Sequence, residues 1–313
     1  EESRSRDHID PLDRAGLLTM SVPQPKPPWL RKPLVTSETS VRRIVARAAL
    51  HTVCEEARCP NRRECWSQDH TATFLLLGDR CTRNCAFCAV GRGRPQPPDP
   101  EEPRRVAEAV REMGLRFSVV TMVTRDDLPD GGASVMADTV RAIRQAVPAC
   151  TVEVLPSDFR GARASLEILA AARPEVFGHN IETVRRLTPE VRRGAQYDRS
   201  LSVLRMYREL DPSAVLKSAL LVGFGETWDE VREALDDLRA AGVEVIAVGQ
   251  YLQPTRERRP VSRYWTPEEF EALREEARQR GFAHCEAGPW VRSSYRADRM
   301  YRAALRARGQ VSG

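Results

Sequence analysis

The sequence predicts an α/β protein built on a parallel β-sheet, and two observations lead to that fold class. Short runs rich in Val, Leu, Ile and Thr alternate with amphipathic segments over residues 71–281, which gives six strand-then-helix units. Parallel strands require such crossovers, and these are nearly always right-handed. Polar or glycine-rich segments follow several of the strands, where folds of this class form their sites.

Each strand is predicted from a short apolar run that ends at a polar or glycine-rich turn. The first, at residues 71–77, leads directly into a cysteine-rich loop. The other predicted strands cover residues 117–124, 151–155, 176–181, 215–222 and 243–250.

The helices are predicted from apolar residues that recur every three or four positions and from capping residues. Thr266 followed by Pro267 and Glu269 is typical of a helix start. The predicted helices cover residues 40–50, 101–113, 133–147, 162–172, 200–210, 227–241 and 266–280.

Composition indicates a globular protein. The chain has 313 residues, of which 41% are hydrophobic and 30% charged. No apolar run approaches the roughly 18 residues of a membrane helix, and neither a signal peptide nor an arginine-rich transit segment is evident. The net charge of +5 comes from basic residues interleaved with acids, and aromatic residues make up only 6%. This pattern does not indicate nucleic-acid binding and suits an acidic protein partner at least as well.

Six of the eight cysteines form two triplets, each without a fourth ligand nearby. The first triplet is Cys54, Cys59 and Cys65, and the second is Cys81, Cys85 and Cys88. Iron–sulfur cubanes and structural zinc sites ordinarily take four protein ligands. Either a distant residue completes each site or a position stays open, and structural zinc remains an alternative. Cys150 and Cys285 are expected to be buried, reduced residues.

The second triplet resembles the signature loop of radical S-adenosylmethionine enzymes, because its spacing is C-x3-C-x2-C with Phe87 before the last cysteine. Other segments together resemble the lipoyl synthase family over roughly residues 25–300. These are the first triplet, Arg125-Asp-Asp-Leu-Pro-Asp-Gly-Gly132, His179-Asn-Ile-Glu182, Gly223-Phe-Gly-Glu-Thr227, Gln250-Tyr-Leu-Gln-Pro254 and Gly288-Pro-Trp-Val-Arg-Ser-Ser-Tyr295.

The resemblance implies a partial (β/α)6 TIM-like barrel over residues 71–281. An N-terminal extension, residues 1–70, would carry the cysteines of an auxiliary cluster, and a C-terminal extension, residues 282–313, would supply a serine ligand. The second triplet would hold a [4Fe-4S] cluster whose open iron binds S-adenosylmethionine, and reduction would release a 5′-deoxyadenosyl radical. The first triplet would hold a second [4Fe-4S] cluster completed by Ser293, with Ser294 as the neighbouring alternative.

The reaction implied by the resemblance is insertion of two sulfur atoms at C6 and C8 of an octanoyl chain on a lysine of a lipoyl carrier domain, with the auxiliary cluster as sulfur donor. Unactivated C–H bonds are beyond acid–base or nucleophilic side-chain chemistry. The expected partners are the octanoylated carrier and a small ferredoxin or flavodoxin type electron donor, with no nucleic acid and no membrane. A monomer in the cytoplasm, or in an organelle matrix in a eukaryote, is expected.

Each candidate contact with the cofactor has an alternative role. Gly131 and Gly132 either approach S-adenosylmethionine or permit a tight turn. Asn180 and Glu182 either bind its ribose or amino group or cap the next helix. Gly225 either contacts the cofactor or belongs to a plain strand-to-helix turn. Two other protein classes also remain open: an enzyme resembling biotin synthase, and a zinc-stabilised nucleic-acid-binding module.

Overall fold

An eight-stranded sheet forms the centre of the computed structural model, which describes residues 25–31, 39–67 and 72–311. The strands are β1 (His51–Thr52), β2 (Thr73–Leu76), β3 (Arg80–Cys81), β4 (Gly91–Arg92), β5 (Phe117–Met122), β6 (Thr151–Leu155), β7 (Val176–Gly178), β8 (Val215–Val222), β9 (Val245–Gln250) and β10 (His284–Gly288). The sheet has the order β1-β2-β5-β6-β7-β8-β9-β10, and β3 pairs with β4 in a separate ladder.

All the neighbouring strands of the large sheet are parallel except β1, which runs antiparallel to β2. The helices are α1 (Thr39–Arg47), α2 (Val53–Glu56), α3 (Arg62–Ser67), α4 (Glu102–Glu112), α5 (Ala133–Ala146), α6 (Arg163–Ala170), α7 (Thr188–Val191), α8 (Tyr197–Leu210), α9 (Trp228–Ala240), α10 (Pro267–Gln279) and α11 (Ala297–Ala307). The sheet does not close, since β1 and β10 lie at its two ends. The architecture is therefore the predicted partial barrel.

The six predicted strand-then-helix units are confirmed, and β6 and β8 match their predicted bounds. β7 ends at Gly178, earlier than predicted, because the next residues turn: Glu182 has a φ of +61° and makes only an isolated bridge to Leu220. Thr266 begins α10 in a capping box with Glu269, as expected. Residues 1–24, 32–38 and 68–70 of the predicted N-terminal extension lie outside the described residues.

Sequence analysis did not predict the short elements β1, β3, β4, α2, α3 and α7. It also missed a longer strand and a longer helix, both in the predicted C-terminal extension. β10 pairs in parallel with β9 and so lengthens the sheet beyond residue 281. Its sequence, His-Cys-Glu-Ala-Gly, lacks the apolar run from which a buried strand is predicted. The helix is α11, which follows a turn at Arg296 with a φ of +52°. The extension is thus partly a component of the sheet itself.

A separate apolar cluster covers the face of the sheet that the crossover helices leave free. Val176, Val215 and Val245 contribute from the strands. Met300 and Ala304 of α11 pack against them. Hydrophobic burial of this kind is the main term that holds such elements together. It fixes α11, and with it the preceding residues 288–296, which we call the C-terminal segment.

Hydrogen bonds join the C-terminal segment to residues in the N-terminal half of the chain. Asn61 Nδ2 donates to the Trp290 carbonyl oxygen at 2.6 Å. The Tyr295 hydroxyl donates to Glu64 at 3.0 Å. Thr73 donates from its hydroxyl to the Ser294 hydroxyl at 2.8 Å. The two ends of the fold therefore meet beside β2. Among the described helices, none is long and apolar enough to cross a membrane.

Candidate active site

The second triplet lies on a loop, residues 81–88, that leaves the end of β3 beside the carboxyl end of β2. We call it the radical loop. The Thr82 backbone N–H donates to the Thr124 carbonyl at 3.0 Å, just past β5, and the Ala86 N–H donates to the Val191 carbonyl at 2.8 Å. These bonds hold the loop over the strand exits, where parallel sheets place their sites.

Arg83, inside the radical loop, ties it to two further strand exits. Its Nε and Nη2 donate to the two Asp126 carboxylate oxygens at 2.7 and 2.9 Å, and Nη2 also donates to Asp158 at 2.6 Å. Burial alone would raise the pKa of Asp158, but the hydrogen bonds and charge of Arg83 outweigh it and lower that pKa to about 2. Sequence analysis missed this clamp, although an arginine within the motif was visible.

The thiols of the site suit iron–sulfur coordination. Burial raises the pKa of Cys54 and of Cys85 to about 11 and that of Cys88 to about 12. These three thiols give up their protons when a metal binds, which coordination brings about readily. Soft thiolates are the ligands of choice for iron–sulfur clusters. None of the eight cysteines, all of which lie in the described part of the chain, forms a disulfide; Cys150 is buried as expected and Cys285 is half-buried.

Over residues 25–31, 39–67 and 72–311, no three His, Cys, Asp or Glu side chains converge where a single metal ion could sit. A cubane makes a different demand, because each thiolate binds its own iron at a corner of the cluster. Cys85 and Cys88 nevertheless lie close enough to Cys81 to interact with it electrostatically. The residues present fit a cluster of several irons.

The first triplet is held on two short helices next to the C-terminal segment. Cys54 lies in α2, whose first turn is capped by the Thr52 hydroxyl accepting from the Glu55 N–H at 3.3 Å. Cys65 lies in α3, and Cys59 lies in the turn between the two helices. The Cys59 N–H donates to the Cys54 carbonyl at 3.2 Å, which folds this turn compactly.

The two candidate serines have different surroundings. The Ser293 hydroxyl donates to Asn180 Oδ1 at 3.2 Å, and Asn180 Nδ2 donates to Glu182 Oε1 at 2.9 Å. Ser294 instead accepts the hydroxyl hydrogen bond of Thr73 on β2. The structure therefore brings together Ser293, Asn180 and Glu182, three residues that the sequence had singled out separately.

Two arginines absent from the predicted site flank Glu182. Burial raises the pKa of Glu182, while the charges of Arg192 and Arg292 act to lower it. Burial lowers the pKa of both arginines. Arg192 also interacts electrostatically with Cys85, and Arg292 interacts with Cys59. Glu182 thus interacts with two cations, and each of these also interacts with a cysteine of a different triplet. Arg292 is part of a motif already noted, whereas nothing in the sequence marked Arg192.

Gly131 and Gly132 have a structural reason to be glycine. Their φ angles are +63° and +92°, in the left-handed region. A Cβ on Gly132 would lie 2.4 Å from Leu77 Cδ1 and 2.8 Å from Met122 Cε, and one on Gly131 would lie 2.9 Å from Phe159 Cδ1. This geometry favours the tight-turn alternative, and a contact with the cofactor stays a prediction.

The loop after β8 is closed by its own glutamate. The Glu226 carboxylate accepts the N–H groups of Gly223 at 2.6 Å and Phe224 at 2.9 Å, as well as the Trp265 indole N–H at 2.9 Å. Gly225 has a φ of +103° within this turn. The turn needs no ligand to satisfy its backbone, so a role for Gly225 in cofactor binding also stays a prediction.

Comparison with known proteins defines the class of enzyme that has this fold and site. The model of the radical SAM superfamily matches residues 75–238. Among solved structures, methylornithine synthase superposes with a TM-score of 0.54 at 13% identity, covering 78% of this chain and 74% of that chain, which is a likeness of fold alone. The fold and the cysteine loop are those of a radical S-adenosylmethionine enzyme.

Comparison with curated relatives identifies the family within this class of enzymes. The chain is 56% identical to the lipoyl synthase of Shouchella clausii (strain KSM-K16) over 275 residues, which cover 87% of this chain and 89% of that protein. It is 54% identical to the lipoyl synthase of Geobacillus thermodenitrificans (strain NG80-2) over 285 residues, with 90% and 96% covered. The chain belongs to the lipoyl synthase family. Use of S-adenosylmethionine and iron–sulfur chemistry follows from that membership.

Proposed function

We propose that this enzyme inserts two sulfur atoms at C6 and C8 of an octanoyl chain attached to a lysine of a lipoyl carrier domain. The observation that carries the proposal is the meeting of Ser293 with Asn180 and Glu182 at the exit of β7. Glu182 interacts electrostatically with Cys85 of the second triplet, and Arg292, next to Ser293, interacts with Cys59 of the first. An enzyme that both breaks C–H bonds and supplies sulfur needs two centres facing one substrate position. The more than 50% identity to lipoyl synthases supports the same reaction.

Cys81, Cys85 and Cys88 are the proposed ligands of the radical cluster, with one iron left for S-adenosylmethionine. When bound, the cluster and S-adenosylmethionine supply the radical that removes hydrogen from unactivated carbon. The chain's own contribution is placement. Arg83 holds the loop against Asp126 and Asp158, and a fixed position is what makes oriented reactions fast.

Cys54, Cys59, Cys65 and Ser293 are the proposed ligands of a second, auxiliary [4Fe-4S] cluster that donates sulfur. Ser293 is preferred over Ser294 because it lies at Asn180, one of the proposed polar contacts of S-adenosylmethionine, whereas Ser294 lies against Thr73 of β2. An alkoxide cannot donate a hydrogen bond, so Ser293 would give up its bond to Asn180 if it served as a ligand to iron. Oxygen is a hard ligand for iron in a sulfur-rich site, which suits a cluster that is taken apart during the reaction.

Asn180 and Glu182 are the proposed polar contacts of S-adenosylmethionine. Asn180 offers both a donor and an acceptor, and the Glu182 carboxylate accepts hydrogen bonds from an amino group or ribose hydroxyls. Arg192 and Arg292 balance the Glu182 charge in surroundings that contain little water. Gly131, Gly132 and Gly225 complete the proposed cofactor surface.

The remaining parts of the proposal concern organisation and partners. Residues 1–70 carry the auxiliary cysteines, residues 71–281 form the radical barrel, and residues 282–313 supply Ser293. The octanoylated carrier domain is the protein substrate, a ferredoxin or flavodoxin type protein delivers electrons, and the enzyme acts as a monomer in the cytoplasm or an organelle matrix.

Mass spectrometry tests the reaction directly. The anaerobically reconstituted enzyme is incubated with an octanoylated lipoyl domain, S-adenosylmethionine and dithionite. The expected product carries two added sulfur atoms in place of two hydrogens. Absence of added sulfur, despite release of 5′-deoxyadenosine, would contradict the sulfur-insertion function. A colourless preparation that contains zinc and no acid-labile sulfide would instead support the alternative of a zinc-stabilised nucleic-acid-binding module.

A further inference from the structure

A basic surface cavity of ≈ 760 Å³ borders the site described above, with the radical loop as one of its walls. The charged residues that line it are Arg92, Arg193, Arg258, Arg259, Glu190 and Glu257. Glu190 accepts a hydrogen bond from Arg259 at 2.7 Å, so this pair is neutral. Positive charge remains in excess, which raises the local concentration of acidic partners.

Two of these arginines have nothing to bind within the fold. Arg92 and Arg193 are both exposed. Neither makes an ion pair or a side-chain hydrogen bond within the part of the chain that the structure describes. Some other exposed arginines pair with acids on the same helix, as Arg104 does with Glu101 and Glu108. Others, such as Arg111, likewise make no ion pair within the described residues, so it is the position of Arg92 and Arg193 at the cavity that matters. The unpaired cations leave this cavity open to an acidic surface from outside.

The wall of the cavity is the radical loop itself. Asn84 and Ala86, on either side of Cys85, line it. Arg258 Nη1 donates to Asn84 Oδ1 at 3.0 Å and to the Cys85 carbonyl at 3.4 Å. Arg92 lies opposite Cys81 in the ladder of β3 and β4. A protein seated in the cavity therefore contacts residues directly adjacent to two of the three proposed cluster ligands.

We propose that this cavity docks a small acidic electron-transfer protein that carries a flavin or an iron–sulfur centre. The inference rests on the proposed function, because a radical cluster on Cys81, Cys85 and Cys88 must be reduced from outside. One electron leaves the reduced centre of the donor, which is oxidised by one electron. The cluster behind the cavity wall is reduced by that electron, and no covalent bond changes.

The carrier domain is the less suitable occupant. Its octanoyl chain has to reach the space between the two triplets, where Ser293 and Asn180 meet, and neither residue lines the cavity. Electrons, in contrast, have to reach only the cluster, and the cavity lies beside the backbone of Cys85. The position of the cavity thus favours the donor.

Calorimetry on the anaerobic holoenzyme with an oxidised flavodoxin tests the docking without turnover. The variant is Arg92→Glu/Arg193→Glu. The matched control is Arg111→Glu/Arg205→Glu, which makes the same charge change at two exposed helical arginines away from the cavity. We expect the cavity variant to raise the flavodoxin Kd about tenfold at low salt, and the difference to shrink near 0.2 M salt, where screening is stronger. The control should bind like the parent.

Turnover with two reductants separates docking from catalysis. In the cavity variant, flavodoxin-driven release of 5′-deoxyadenosine should fall about tenfold, in proportion to the lost affinity. Dithionite-driven release should stay at the parental rate. An unchanged flavodoxin Kd would overturn the proposal. So would a higher KM for the octanoylated carrier with dithionite as reductant, since this would assign the cavity to the substrate. If the parent itself added no sulfur with dithionite, the proposed function would fail, whatever the flavodoxin titration gave.

Discussion

The Ser293 hydroxyl donates a hydrogen bond to Asn180 Oδ1 at 3.2 Å and so joins residues 113 positions apart in the chain. Asn180 lies just beyond β7, in the middle of the sheet, and Ser293 lies in the C-terminal segment past β10. The contact places the proposed fourth ligand of the auxiliary cluster against the proposed cofactor site. Each centre can then act on the same stretch of an octanoyl chain.

Replacing Ser293 with Ala tests this ligand. The variant should keep S-adenosylmethionine cleavage measurable but form at least about tenfold less thiolated product, because a cluster-supporting group is lost. The measurements are acid-labile sulfide per chain and product mass. Ser294→Ala is the matched control, and it should lose only its hydrogen bond to Thr73. A larger loss of product in Ser294→Ala would assign the ligand to Ser294.

Alanine at one cysteine of each triplet separates the two proposed clusters. Cys85→Ala should abolish 5′-deoxyadenosine release, because the remaining two thiolates cannot hold the radical cluster. Cys59→Ala should retain release and lose the thiolated product. Chromatography of 5′-deoxyadenosine and mass spectrometry of the carrier report the two effects. Release that survives in Cys85→Ala, or lipoyl product formed by Cys59→Ala, would show that the assignment of the clusters is wrong.

Arg83→Gln tests the clamp on the radical loop. Asp158 is buried, and Arg83 is its main partner. We expect the cluster-free protein to lose about 3 kcal/mol of unfolding free energy in urea, as when one partner of a buried ion pair is removed. Iron incorporation on reconstitution should fall as well.

The control for the clamp is Arg160→Gln. Arg160 pairs with the same Asp126 at 3.3 Å, but its side chain is 66% exposed. Its removal should change the unfolding free energy by less than about 1 kcal/mol, as is usual for an exposed pair. Equal losses from the two substitutions would show that Arg83 has no special structural role.

A buried ion pair inside the sheet provides a test of the fold. Lys217 on β8 donates to both carboxylate oxygens of Glu153 on β6, at 2.8 and 2.9 Å. The pair spans β7 at Gly178, which has no side chain to obstruct it. Lys217→Met should destabilise the protein by about 3–5 kcal/mol, because Glu153 is left without its partner. The double variant Glu153→Leu/Lys217→Met should recover most of this loss in urea unfolding. If the double variant lost as much unfolding free energy as the two single substitutions together, Glu153 and Lys217 would not be coupled.

Glu244 should make the docking of α11 dependent on pH. Arg308, just past α11, donates to both Glu244 oxygens at 2.6 Å. Burial would raise the pKa of Glu244, but Arg308 and Arg208 outweigh it and lower the pKa below its ordinary value. The stabilisation is therefore complete above the ordinary pKa of 4.5 and is lost as the pH falls through the lower folded value.

Amide hydrogen exchange tests how firmly the contact between Glu244 and Arg308 holds α11 in place. At neutral pH, Glu244→Gln should speed amide exchange in α11 relative to the parent, and the difference should shrink well below pH 4.5. The cluster-free protein is used because acid destroys iron–sulfur clusters. The exposed pair of Arg302 with Asp298, 3.1 Å apart on α11, gives the control Asp298→Asn. If both variants sped amide exchange in α11 equally at neutral pH, Glu244 would have no special role in anchoring this helix.

The sequence by itself determined the six repeating units and both cysteine triplets. A parallel strand buried on both faces has to be a short apolar run, and its crossover helix has to be amphipathic, so both patterns are local. The cysteine spacing is local too, since a loop of eight residues supplies three ligands. β10 and α11 escaped detection because their burial depends on β9 and on the uncovered face of the sheet, which no local pattern encodes.

Only the tertiary structure decided which distant residues share the site. Ser293 meets Asn180, Arg83 reaches Asp158, and the charges of Arg192 and Arg292 act on Glu182. Hydrogen bonds and charge interactions act over a few ångströms of space, whatever the separation along the chain. The sequence therefore determined the chemistry that the ligands can perform, and the packing of α11 and the C-terminal segment decided where that chemistry is assembled.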